Sequence, residues 1–258
     1  MLAQFAATFG MLFPTRTSRL WVSAFVMVAV MLPVSEMIVL GVFSSLVVDG
    51  PAEFRESTTA GYAKVGLLLA AFAATRCIDH AVRLGRVRVF RTGFEESGRK
   101  RSPNQESWEW ALAFELSGVL ASLVQVAMFG GLFFLLDLPT AAVNLSILIV
   151  VVSLLSAIYA RQLGLQRAYV EMGSGPGTVA ISQRVGWRIR DAEIGAMLAS
   201  AAVIVVLICL LVRILAGDIG SANAIMLFLG LRLLAGQLGA LSASTMRFAR
   251  ALARRGDV

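Results

Sequence analysis

Six apolar runs, at about 21–48, 60–80, 114–136, 141–160, 194–215 and 223–242, occupy most of the chain, and they limit what it can fold into more than any other feature. A helix needs about 20 apolar residues to cross the ~30 Å hydrocarbon core of a bilayer, and these runs meet that length. What remains is short and charged, so no region can build the separate core of a globular catalytic or nucleotide-binding domain. Apolar residues make up 58% of the sequence and charged ones 15%. The mean hydropathy of +0.79 lies outside the range of water-soluble domains. The expected fold class is an all-α membrane protein, a single domain over 1–258 with six transmembrane helices.

The formal charge of +7 is carried almost wholly by arginine, and the arginines flank the apolar runs. In a soluble protein such basicity would suggest nucleic acid, but no aromatic residues interleave with it, and no nucleic-acid partner is expected. Lysine and arginine next to a span are retained in the cytoplasm. Arg16 and Arg19 precede the first span. Arg76, Arg83, Arg86, Arg88, Arg91, Arg99, Lys100 and Arg101 follow the second; Arg161, Arg167, Arg184, Arg188 and Arg190 lie between the fourth and fifth; Arg247, Arg250, Arg254 and Arg255 end the chain. The opposite connections hold Arg55 and Lys64 among Asp49, Glu53 and Glu56, and then only Asp137 and Asp218. Both termini are therefore expected in the cytoplasm (N-in/C-in), with localisation as a multi-pass protein of the inner membrane.

Residues 1–15 lack a basic start, and the first apolar run is too long for a signal peptide, so the first helix is expected to be retained. The apolar stretch 5–13 is expected along the inner surface. Two cytoplasmic loops of real size are expected, about 81–109 and 161–191, with Arg83 to Arg91 able to continue the second helix. Gly173-Ser174-Gly175-Pro176-Gly177 reads as a turn, and Asp137-Leu138-Pro139-Thr140 as a tight helical hairpin. Cys77 and Cys209 lie in different spans and are expected as free thiols.

Within the spans, Glu36 and Arg232 are the informative charges, because an ionisable side chain in hydrocarbon is costly unless it is paired or faces water. Both fall in the outer half at a rise of about 1.5 Å per residue, so they form a candidate intramembrane pair. Pro33, one turn before Glu36, removes a helix bond and marks a kink. Such a pair is either a proton or substrate site or a static interhelical contact that fixes register. Arg213, at the outer end of span five, reads as a snorkelling side chain. Gly230, Gly236 and Gly239 give the sixth span a small-residue stripe for close helix packing. Cys77, Asp79 and the lone His80 make a poor metal site, and neither metal nor cofactor is expected. No Ser/Lys dyad, carboxylate pair or histidine cluster suggests an enzyme, so no catalytic residue is assigned.

Gly217-Asp218-Ile219-Gly220-Ser221-Ala222-Asn223-Ala224-Ile225, then Leu231-Arg232-Leu233-Leu234 and Leu238-Gly239-Ala240-Leu241-Ser242, resemble the last outer loop and sixth helix of the ABC exporter transmembrane domain. Span order, short outer loops and larger inner segments after spans two and four resemble that family as well. Gln237 stands near the family's usual proline and Ala222 near a second glycine. The resemblance implies a six-helix half that works as a homo- or heterodimer in the lipid bilayer and moves a small or amphipathic substrate. The chain holds no G-x-x-x-x-G-K-[ST] phosphate loop, so the ATPase would be a separate subunit. It would engage Arg86, Arg88, Arg91, Arg184 and Arg188, the candidate partner-contact residues of the inner loops. In the family the inner segments are long helical extensions. Here the second is short and interrupted by glycines, which favours the alternative: a non-transporting scaffold or accessory subunit of a larger complex.

Overall fold

The computed structural model describes residues 2–13, 15–48, 58–95, 103–172 and 179–254. Among them are seven helices and no strand: α1 (Leu2–Leu12), α2 (Arg16–Val48), α3 (Thr58–Glu95), α4 (Pro103–Leu136), α5 (Leu138–Glu171), α6 (Ile181–Leu215) and α7 (Ser221–Arg254). The last six are long and apolar enough to cross a membrane. In hydrocarbon every backbone N–H and C=O must be satisfied within the segment, so apolar runs of this length become helices. α2 continues through Pro33.

The helices run well past their apolar stretches. Each of α2 to α7 holds 33 to 38 residues, or about 50 Å at 1.5 Å per residue, against ~30 Å of hydrocarbon. The segments expected as inner loops are accordingly helical over 81–95, 103–109, 161–171 and 181–191. Hydropathy falls there, but arginine, glutamate, glutamine and leucine are good helix formers in water too. The turn expected at 173–177 lies outside the described residues.

At the opposite, short-loop end two reversals are compact. A single residue, Asp137, separates α4 from α5. It adopts an extended backbone (φ −158°, ψ 109°) and its carboxylate accepts from the Thr140 N–H at 3.0 Å, capping a helix whose first turn contains Pro139. α6 ends at Gly217 (φ +80°), where the Gly217 N–H donates to Ile214 O at 3.0 Å and the Asp218 N–H to Arg213 O at 3.1 Å. This left-handed closure at a glycine satisfies the last carbonyls of the helix.

α7 is the central element, packed against α4, α6, α5 and α2, while α3 rests on α2 and barely meets α4. Leu227, Leu231, Leu234, Leu238, Leu241 and Phe248 of α7 are buried against Phe129 and Phe133 of α4, Leu155 of α5 and Leu210 of α6. Close approach rather than water exclusion holds helices together in lipid. Gly195 marks the tightest point: a Cβ there would overlap Ser242 Oγ and lie 2.7 Å from Leu155 Cδ2. The Ser242 hydroxyl donates to Ala192 O at 3.0 Å, tying α7 to α6 at the same level.

α1 does more than lie on a surface. Phe5 is buried, its ring edge-on to Phe248 (4.9 Å) and Tyr159 (5.7 Å). Arg19 donates to Phe13 O and Gly10 O at 2.6 and 2.7 Å, satisfying carbonyls at the end of α1 that no helical N–H reaches. The short helix is thus a plug beneath α5 and α7.

Candidate functional site

The charges within the spans are the first candidates for a site. Glu36 pairs with Arg76, Nη1 to Oε1 at 3.0 Å, and not with Arg232. α3 packs on α2 and brings the long Arg76 side chain to the carboxylate, where its guanidinium also lies 5.4 Å from the Phe72 ring. α7 meets α2 through a different face: Ser44 Oγ reaches Ala222 O at 3.5 Å, Gly41 faces Met226, and Gly230 faces Met37. Arg232 stands two residues beyond Gly230, about 200° round the helix. Shared depth therefore does not bring the two residues together. Arg232 is exposed on the outward side of α7 and forms no ion pair among the described residues.

The glycine stripe divides in the same way. Gly230 is buried, and a Cβ on it would sit 2.7 Å from Met37 Cε and 3.4 Å from Phe133 Cε2. Gly236 and Gly239 have nothing within 4 Å of such a Cβ. They share the outward side with Arg232 and with Phe228, which is half exposed.

The arginines expected to contact a partner sit on helical hairpins. Arg88 and Arg91 are exposed on α3; of Arg86 only the backbone is described. Arg184 is turned inward: its Nε donates to Val179 O at 2.8 Å, and its guanidinium lies 5.0 Å from the Tyr169 ring, which stacks on Trp187. Arg188 is half-buried nearby. Among the described residues no three His, Cys, Asp or Glu side chains converge as metal ligands.

Three ion clusters were not singled out by sequence reasoning. At the short-loop end Arg213 grips Asp137 with two bonds (2.9 and 3.0 Å) and reaches Asp218 at 3.2 Å, so one arginine staples both chain reversals. Burial opposes ionisation of Asp137, but the Thr140 hydrogen bonds and the Arg213 guanidinium outweigh it and hold the carboxyl below its ordinary 3.8. Acids in two short loops facing one arginine at a helix end was the available signal. At the arginine-rich end Asp191, 2% exposed, accepts from Gln162 Nε2 at 2.7 Å and Arg161 at 3.2 Å, joining α5 to α6. Arg247 of α7 binds both carboxylate oxygens of Glu115 on α4 at 2.9 Å.

No protein-family model matches the chain, and comparisons with characterised proteins and with solved structures give no match either.

Proposed function

We propose that this protein is a membrane-spanning transport component, resembling an ABC exporter transmembrane domain without its own ATPase, that works as a dimer in the inner membrane with both termini in the cytoplasm. The observation that carries this reading is the continuation of α3 to α6 as helix far beyond their apolar stretches. A transporter driven by a soluble subunit needs stiff elements that convey force from water into the membrane, and four helices of about 50 Å, α3 to α6, would supply them. Short disordered loops would have pointed to a scaffold. The one-sided arginines support the orientation. The substrate is small or amphipathic, and Arg88 and Arg91 lie on the surface available to an energy-supplying subunit.

Purification from the native membrane in mild detergent tests this. A stoichiometric ATPase that is lost when Arg88 and Arg91 are changed to Glu is the expected result. A stable complex containing no ATPase would replace transport by the accessory-subunit reading.

A further inference from the structure

An apolar groove of about 340 Å³ runs between α5 and α6, lined by Ile147, Val150 and Leu154 of one helix and Leu198, Ala201 and Val205 of the other. Val150, Leu154 and Val205 are about half exposed, so the groove opens outward, away from the core. Ser146, at its rim, turns its hydroxyl back to Ala142 O at 2.9 Å. A polar ligand would find no hydrogen-bond partner in this space, whereas a hydrocarbon chain needs none. From Ser146 to Leu154 the groove runs about 12 Å along the helix axis.

The same two helix faces become basic toward the arginine-rich end. Arg161 stands two turns below Leu154 on α5, and Arg190 three turns below Ala201 on α6, each within about 20° of that residue round its helix. Both pair with Asp191, at 3.2 and 3.8 Å, which sets them at one level. The carboxylate is almost fully buried while both guanidiniums are more than half exposed, so this trio turns one net positive charge outward. Glu193, the next acid on α6, lies about 110° round the helix from the middle of the groove. Measured along the helices from Leu138 and Leu215 at the short-loop end, the two arginines are about 35 Å away, just past a ~30 Å core and level with headgroups.

We propose that the α5–α6 groove, Arg161 and Arg190 form a binding site for an anionic phospholipid of the leaflet at the arginine-rich end, with the phosphodiester on the guanidiniums and one acyl chain in the groove. Arginine at a membrane interface is by itself only a topology signal. Two arginines sharing one buried carboxylate, directly beneath a groove that suits a chain, match both halves of such a lipid. The guanidinium fork fits phosphate oxygens, and a basic pocket between spans selects anionic headgroups. About 10 Å separates Arg161 from Leu154, and the exposed Ala157 and the half-exposed Ile194 carry the apolar surface across it. A zwitterionic lipid offers the same chain but brings its own cation to the arginines, so charge is what discriminates. The site requires only that these helices span a membrane and does not depend on transport.

The test uses full-length protein in phosphatidylcholine nanodiscs containing a trace of phosphatidylglycerol, or of phosphatidylcholine, with a diazirine on the acyl chain. After illumination the cross-linked residues are mapped. Phosphatidylglycerol should label 146–154 and 198–205 about fivefold more than phosphatidylcholine does, while the two label the exposed Leu67 of α3 equally. Arg190→Gln should remove most of that preference and Arg190→Lys should retain it. Arg167→Gln, at an exposed position about 120° round α5 from Arg161, should leave it unchanged. Ala201→Phe fills the groove from an exposed position and should bring labelling at Val150 by both lipids down to the level at Leu67. Excess unlabelled phosphatidylglycerol should compete, and glycerophosphoglycerol, its headgroup without chains, should not. Equal labelling of the wild type by the two lipids, or a preference indifferent to Arg190→Gln, would overturn recognition of the anion. Competition by the chain-free headgroup would assign the arginines to a soluble phosphodiester and overturn the lipid. A groove labelled by neither lipid would overturn the site, and a disulfide between Ala201→Cys copies would then identify a second copy as its cover. The wild-type ratio stands even where a variant folds poorly.

Discussion

The two ends of the bundle solve the same problem in opposite ways. At the short-loop end, reversals of one and five residues are closed by one arginine that holds both Asp137 and Asp218. At the arginine-rich end the helices run on beyond their apolar stretches, joined among the described residues by local contacts such as Asp191 with Arg161, Tyr169 with Trp187 and Glu115 with Arg247, and plugged by α1. One end is stapled across its loops, and the other offers length, charge and exposed surface. Under the proposed transport reading, coupling would belong to the arginine-rich end and closure to the short-loop end.

Breaking the Asp191 network should have the largest effect. Arg161→Gln leaves a nearly fully buried carboxylate with its Gln162 bond and the looser Arg190 pair at 3.8 Å and should cost about 2–3 kcal/mol, the range for a lost hydrogen bond to a charged group. Thermal unfolding in detergent checks it, and Asp191→Asn added to Arg161→Gln should recover most of the loss. Next comes the tight crossing. Gly195→Ala forces a methyl group into Ser242 and Leu155 and should destabilise by about 1–3 kcal/mol, whereas Gly236→Ala, facing open space, should leave the melting temperature of the monomer unchanged. The clasp is smaller. Asp137→Asn should cost about 1 kcal/mol, because Arg213 is partly exposed and keeps Asp218.

The clasp also has a pH signature. Because the folded protein holds the Asp137 carboxyl below its ordinary 3.8, its contribution is complete above that value and is lost as pH falls through the lower folded-state pKa. Acid should therefore narrow the gap in stability between wild type and Asp137→Asn, as melting curves at neutral and acid pH would reveal. A gap that stays constant would show that the carboxylate charge contributes nothing.

The spans were legible in the sequence because a bilayer imposes one length on every helix, and the compact hairpin at Asp137 because proline and aspartate have fixed uses there. Azimuth was not. Glu36 and Arg232 share a depth, but which neighbour each faces depends on how α7 is rotated against α2, and hydropathy fixes neither helix's rotation. The glycine stripe divides for the same reason: Gly230 packs against Met37 and Phe133, while Gly236 and Gly239 lie about 120° and 180° round the helix from it, on the outward side. Helix ends beyond the membrane were legible only in part: Arg83 to Arg91 reads as able to continue the second span, and α3 does run to Glu95, whereas 103–109, 161–171 and 181–191 read as loop because apolar periodicity stops where the bilayer stops and the helix does not.

Distances between spin labels on the two copies of the proposed dimer test the account most directly. Labels at Met172→Cys, on the arginine-rich end, and at Leu135→Cys, on the short-loop end, would be compared in the native complex with and without a non-hydrolysable nucleotide. The account predicts that the distance between copies at Met172→Cys changes by about 5 Å or more, as rigid hairpins respond to the energy-supplying subunit. Distances that stay fixed at both ends would contradict transport and leave a static scaffold.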